Sequence, residues 1–467
     1  ASGTDKNHGV INISGDKTIT LDGNRFTLTA KANFAATGGE TWDKDLGQCH
    51  VINIENGANV TIQDLIIDGD WAGTTETAAG SYNAARTGIN IYNTTGTSTV
   101  KLEGVTIQKC SAYAVVAKGA DLTINGLTTT GNRWGLDVED GSTVTIETAN
   151  IAEDVVYESS TETSSLTIHN GTYGTVKVQQ QDDDVTKGTV SINGGTVETV
   201  TTGGNNITEA TANVTVTGAT VGTVNNTSAG TMSVIDSKIT GTAPTAESNV
   251  IMLNCTNGSG VKLDDVVPAD TKPFLVNGVG YDTLSEALGA ISGTGTIVLT
   301  KDTEERSANF IITNKSVTIT GTGTLTVIPA TGETTKAFDL RDGGNLTLDG
   351  NVNVTIHGTP NADTSKGNDG TAFAMYTTST LTIQGNAALN MENLESGMVF
   401  PGSTTPVQGA VTVDGATLTA SNIDGNFSNG GQFTFKNGAT GTITGCGSHG
   451  LSANTVTVDT NSKLTVS

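Results

Sequence analysis

One short phrase recurs along this chain and decides what it can fold into. An alternating Val/Leu-Thr/Ser-Ile/Val tripeptide begins at Val60, Leu122, Val144, Leu166, Val190 and Val214, and from Leu122 onward the spacings are 22, 22, 24 and 24 residues. A unit of that size holds two or three short strands and their turns. It cannot bury an apolar face alone, so it must stack on copies of itself. Stacked at about 4.8 Å per coil, the units form parallel sheets running along a solenoid. Val60, Ile62, Val144 and Ile146 then point inward as ladders, and the Thr between them faces water. Asn56-Gly57 and Asn125-Gly126 supply the left-handed conformations that corners require. A sandwich or propeller built of hairpins would show two-residue turns and a longer blade period. The pattern therefore predicts an all-β chain, a right-handed parallel β-helix with coils of about 22–24 residues.

The regularity breaks once, near residues 265–306. Val266 to Asp270 reads as a linker, and Thr283-Leu284-Ser285-Glu286 matches a capping box that opens a short helix from Leu284 to Ile291. Gly293-Thr294-Gly295 ends that helix, and Thr296 to Leu299 reads as a strand. The expected organisation is a first β-helix segment at 1–268, a linker with capping helix and strand at 269–306, and a second segment at 307–467. The two segments read as copies: Asp16 to Gly23 parallels Asn314 to Gly321, and Gly57 to Ile62 parallels Gly343 to Leu348. Ile107 to Cys110 is echoed by Ile443 to Cys446, and both ends of the chain read as cut through a repeating array.

These coils resemble the pectate-lyase-like right-handed β-helix superfamily over nearly the whole chain. The element from Tyr281 to Leu299 also resembles a helix-to-β-helix module of large bacterial surface proteins, especially from gut anaerobes. That resemblance implies secretion, surface display and an adhesin-like role.

Charge narrows the partners. Acidic residues outnumber basic ones 47 to 23, a formal net charge of -24, which repels nucleic-acid phosphates and anionic membranes. Carboxylates at this density can hold Ca2+ weakly, and no resident cofactor is expected beyond that. No transmembrane-length apolar run and no signal peptide is read. Cys49, Cys110, Cys255 and Cys446 lie far apart, which argues against a disulfide scaffold or zinc site and suits buried free thiols.

No catalytic motif set assembles. Gln181-Asp182-Asp183-Asp184 and Gly447-Ser448-His449-Gly450 each resemble a polygalacturonase fragment, but they lie in different segments and their partner motifs are missing. None of the five arginines sits in a lyase motif. The unusual feature is that all three tryptophans fall in the first third, on or near two long excursions, Asn33 to Gln48 and Asp68 to Arg86. Aromatic faces with carboxylates on loops suit sugar recognition, so Trp42, Asp45, Asp68, Asp70, Trp71, Tyr82, Arg86 and Trp134 are the candidate ligand-binding residues; the competing and preferred reading of these loops is that they cap the open end of the solenoid. The expected function is a non-catalytic extracellular or cell-surface scaffold that binds glycans or neighbouring proteins. The alternatives are a β-helical polysaccharide lyase or glycoside hydrolase, and a subunit that assembles head to tail into a filament or surface layer.

Overall fold

The computed structural model describes residues 9–30, 50–71, 85–94, 96–179, 185–203, 212–228, 230–245, 249–268, 271–330, 335–360, 368–401 and 409–467. The chain forms a parallel β-helix solenoid in two compact units, Ala1–Pro268 and Ala269–Ser467.

Three parallel ladders build the first unit, named here in the order the chain visits them. Sheet one passes through Gly9–Ser14, His50–Glu55, Thr87–Tyr92, Tyr113–Lys118, Trp134–Val138 and Val155–Tyr157, then continues into longer strands. Sheet two carries the recurrent phrase: Ile19, Val60, Val100, Leu122, Val144, Leu166, Val190, Val214, Met232 and Val250 pair in one unbroken column. Sheet three follows within the same coil, for example Leu28, Ile67 and Ile107. The inward rows merge into one core in which Ile52, Ile62, Ile67 and Leu122 have no exposure. Roughly 2–3 kcal/mol of transfer free energy attends each fully buried Ile or Leu, so the column, not any one coil, holds the unit together.

Sheet one departs from simple alternation. Its outward residues Val51, Asn53, Asn90, Val116 and Val156 are as buried as its inward ones. Strands covered on both faces read as continuous apolar runs, which is why Val-Ile-Asn-Ile and Ala-Val-Val-Ala lack the Thr of sheet two. The polar member of this row is satisfied laterally, Asn90 Nδ2 donating to Asn53 Oδ1 at 2.8 Å.

The expected coil of 22–24 residues holds only for part of the chain. Along sheet two of the first unit the coils take 41, 40, 22, 22, 22, 24, 24, 18 and 18 residues. In the second unit the column Gly295, Val317, Leu346, Leu381, Val411, Phe433 and Val456 gives 22, 29, 35, 30, 22 and 23. Registers continue through every long coil, so the extra residues enter at corners, where no ladder hydrogen bond has to be broken.

The second unit repeats the plan with an aromatic core stack. Phe310, Phe338 and Phe373 pair in one column, with ring centroids 5.3 and 5.2 Å apart. The segment read as a linker is in fact part of this unit. Phe274–Val276 pairs antiparallel with Thr294–Leu299 and with Val279–Tyr281, and Phe274, Leu284 and Leu288 belong to its core. The helix runs Leu284–Gly289 with both halves of the capping box formed, and Ala290 caps its end before buried Ile291. The first unit closes differently: Met252 and Val266, then Thr256 and Lys262, form antiparallel bridges that fold the chain back along the last coil.

Candidate functional site

Ladder register, not sequence proximity, assembles the most unusual group of side chains. In sheet one Ile89, Val115, Leu136 and Val155 point inward, and Asn90, Val116, Asp137 and Val156 alternate with them on the outer face. One outward step further lie Lys118, Glu139, Glu158 and Gln179 on successive coils. Their stacking is carried past the strand ends by hydrogen bonds from Glu139 N to Ala117 O, Glu158 N to Val138 O and Gln179 N to Tyr157 O. Asp137 and Glu139 are therefore outward neighbours on one strand, and Glu158 lies beside Glu139 on the next coil.

Asp137, Glu139 and Glu158 each present an oxygen within 4.8 Å of the others, the one such acidic, His or Cys grouping among the described residues. All three are buried, with exposures of 2%, 8% and 8%. Lys118 Nζ donates to Glu139 Oε2 at 3.1 Å, and Gln179 Nε2 donates to Glu158 Oε2 at 2.9 Å. Asp137 is hydrogen-bonded by the Tyr113 phenol, yet its Oδ1 is buried with no hydrogen-bond partner. Burial first, then the charges of Glu158 and Glu139, push the Asp137 carboxyl well above the usual range, against the pull of Tyr113 and Lys118. Burial and the neighbouring Asp137 likewise drive the Tyr113 phenol upward. Burial lowers the Lys118 amine, but Glu139 outweighs it and the net shift is upward, so Lys118 stays a cation.

At the upstream edge of the same strands, Trp134 stacks on Tyr113 with centroids 5.0 Å apart, and the Arg133 guanidinium lies 4.2 Å over the Trp134 ring. A hydrogen-bonded corner fixes this pair: Cys110 N donates to Asn132 Oδ1, and Asn132 N to Glu153 Oε1, each at 2.8 Å.

The residues singled out from the sequence divide into two groups. Trp42, Asp45 and Tyr82 lie outside the described residues, as do Cys49 and Gln181 to Asp184. Arg86 and Trp134 come together around Tyr113: Arg86 O accepts from Ala112 N, and the guanidinium charge acts on the phenol. Asp68, Asp70 and Trp71 sit one corner earlier, at the base of the second excursion. Ala85 N donates to Gly69 O and Trp71 N to Lys109 O, so the chain leaves and rejoins the coil at a closed neck. Gly69 is required there, since a Cβ would stand 2.3 Å from Lys109 O. Asp68 is engaged within the corner, accepting from Gln108 Nε2 at 2.7 Å and from Asp70 N at 2.9 Å. His449 is an exposed turn residue whose backbone N–H donates to Asn426 Oδ1. Cys110 and Cys255 are buried thiols, the latter pushed up to about 11 chiefly by burial, whereas Cys446 is half-buried.

Sequence reading missed the carboxylate trio because it applied one fixed period. From Val138 to Tyr157 sheet one advances only 19 residues, and a 22-residue step would set Thr161, not Glu158, beside Glu139. The signal was present in the outward pair of Leu-Asp-Val-Glu, but its third member is visible only once the register is known.

No helix among the described residues is long and apolar enough to cross a membrane. No family model matches the chain, and no curated protein matches it. Among solved structures it is similar to a PL6 family alginate lyase, at 11% identity and a TM-score of 0.18, covering 98% of this chain and 96% of that one. A TM-score so low adds nothing to what the strand registers establish.

Proposed function

We propose that this protein is a non-catalytic scaffold of the secreted or cell-surface kind, an adhesin-like β-helix that binds saccharides at the upstream edge of sheet one, around Arg133 and Trp134. The observation that carries the reading is the juxtaposition of Arg86, Tyr113, Arg133 and Trp134 with three buried carboxylates on one rigid ladder. Guanidinium groups, aromatic edges and carboxylates are the groups that recognise sugar hydroxyls and uronate charges, and a rigid support lowers the entropy cost of binding. The carboxylates are engaged with Lys118, Gln179 and Tyr113, an arrangement suited to holding shape. Resemblance of the coils to the pectate-lyase-like superfamily, and of the capped element to bacterial surface modules, supports the same reading.

The test is a glycan-array screen of the full chain, with and without Ca2+, run beside an assay for released products. Binding without turnover, weakened at least tenfold in both Arg133→Ala and Trp134→Ala, is expected. Release of unsaturated or reducing sugars would replace the scaffold with a lyase or hydrolase. Binding that both variants retain in full would move the site off this face.

A further inference from the structure

The carboxylate trio poses an electrostatic problem that its neighbours do not solve. Three acids converge within 4.8 Å at 2–8% exposure, and the Lys118 amine pairs with one of them. Acidic clusters on open surfaces are commonplace because water screens them, but this one has been taken out of water. A second, independent observation points inward: Asp137 Oδ1, on a side chain 2% exposed, has no hydrogen-bond partner.

We propose that Asp137, Glu139 and Glu158 form a binding site for one hard divalent cation, Ca2+ or Mg2+, on the outer face of sheet one. The geometry is that of shared coordination. Oxygens bind Ca2+ at about 2.3–2.6 Å, so two ligands on opposite sides of one ion stand roughly 4.8 Å apart, the limit within which all three oxygens here fall. The donor set is oxygen alone, which selects a hard ion over zinc or copper. Lys118 and Gln179 each occupy one oxygen of Glu139 and Glu158, holding those carboxylates in orientation as outer partners of metal ligands commonly do. The ion satisfies the orphaned Asp137 oxygen and cancels the repulsion in one step. It would also tie two consecutive coils together, Asp137 and Glu139 on one and Glu158 on the next. The site does not depend on the saccharide reading, and its test contains no saccharide.

The experiment is calorimetric titration of the chelator-treated full chain with CaCl2 and, separately, MgCl2. It is paired with thermal unfolding followed by tryptophan fluorescence, which reports the first unit because all three tryptophans lie there. One equivalent of cation is expected to bind and to raise that unit's midpoint. Asp137→Asn and Glu158→Gln should each weaken binding at least tenfold, whereas Glu103→Gln, an exposed carboxylate two coils before Asp137, should leave it unchanged. Asn keeps an acceptor for Tyr113, and Glu158→Gln stands in should Asp137→Asn fail to fold. Weak multi-site uptake that is identical in wild type and both variants would reduce the effect to the diffuse surface charge and overturn the site. So would the absence of any cation effect on the wild-type midpoint, whatever the midpoint of Asp137→Asn in chelator.

Discussion

The two units place a buried aspartate at the same point of the coil but surround it differently, with like charge in the first and with cations in the second. Glu139 stands five residues before Val144 in the sheet-two column, and Arg341 stands five before Leu346 in the matching column of the second unit. Asp137 and Asp339 each lie two residues upstream, at 2% and 1% exposure, and an Asp-Gly turn follows both strands with Gly141 and Gly343 left-handed. In the first unit the surrounding groups are Glu139 and Glu158. In the second, Arg341 Nη2 donates to Asp339 Oδ2, Lys336 Nζ approaches it at 3.7 Å, and both cations lie over the Tyr376 ring, at 5.6 and 5.9 Å. Burial of the carboxylate comes with the backbone position, whereas the means of neutralising it is a local choice of side chains. One unit carries its cations on its own side chains, and the other holds the ion site proposed above; an Oδ1 without a hydrogen-bond partner is common to both aspartates.

Exchanging the compensation tests that contrast most severely. Arg341→Glu leaves Asp339 buried beside a like charge, and a loss of about 3 kcal/mol from the second unit is expected. It should appear in far-ultraviolet circular dichroism during urea unfolding while the tryptophan signal, confined to the first unit, is unmoved. An Arg341→Glu protein as stable as wild type would mean that Asp339 is balanced by something other than its cations. Asp137→Asn should do the reverse in chelator, raising the first unit's stability by about 1 kcal/mol because the cost of burying this acid beside two others is gone. A loss equal to that of the second unit would erase the distinction between the two faces.

The smallest effect sharpens the comparison within the first unit. Asp68 is a charge that its corner does satisfy: burial raises its pKa, but hydrogen bonds from Asp70 N–H and Gln108, with Lys109 nearby, outweigh that and hold it below the ordinary carboxylate value. A depressed acid binds fewer protons folded than unfolded, so its contribution is present above the unfolded carboxylate pKa of about 3.9 and is lost as pH falls through the lower folded value. Asp68→Asn should therefore lower the first unit's stability at neutral pH by a few tenths of a kcal/mol, a deficit that vanishes as pH falls below the folded value and so flattens the acid limb. An unaltered acid limb would show the corner to be indifferent to this charge.

What could be read in the sequence follows from what repeats. The Val-Thr-Ile phrase declared sheet two because its Thr faces water, and the alternation holds as far as Val214-Thr215-Val216, whereas Met232–Ile235 and Val250–Leu253 in the 18-residue coils are buried throughout. The capping box at Thr283 and Glu286 was legible because both halves lie three residues apart. Sheet one was harder to read, since burial on both faces removes the alternation from strands such as Tyr113–Lys118. The partition of residues 269–306 as a linker missed the antiparallel pairing of Phe274–Val276, which no local signal encodes. Arg86 and Trp134 were chosen for their chemistry and do share Tyr113, whereas Glu158 required the register before it meant anything.

The unequal coils have a consequence for how such a chain measures distance. Coils of 18 and of 41 residues each add one strand to the same ladder, and so each advances the axis by about 4.8 Å. Length along the solenoid is counted in rungs, not in residues. Trimming the excursion between Trp71 and Ala85 back to its closed neck should leave every later side chain of the first unit at its old height, while deleting a single 18-residue coil would lower everything beyond it in that unit by one step. Contour and reach are thus separate quantities here: corners are free to change their content, and the ruler beneath them keeps its graduation.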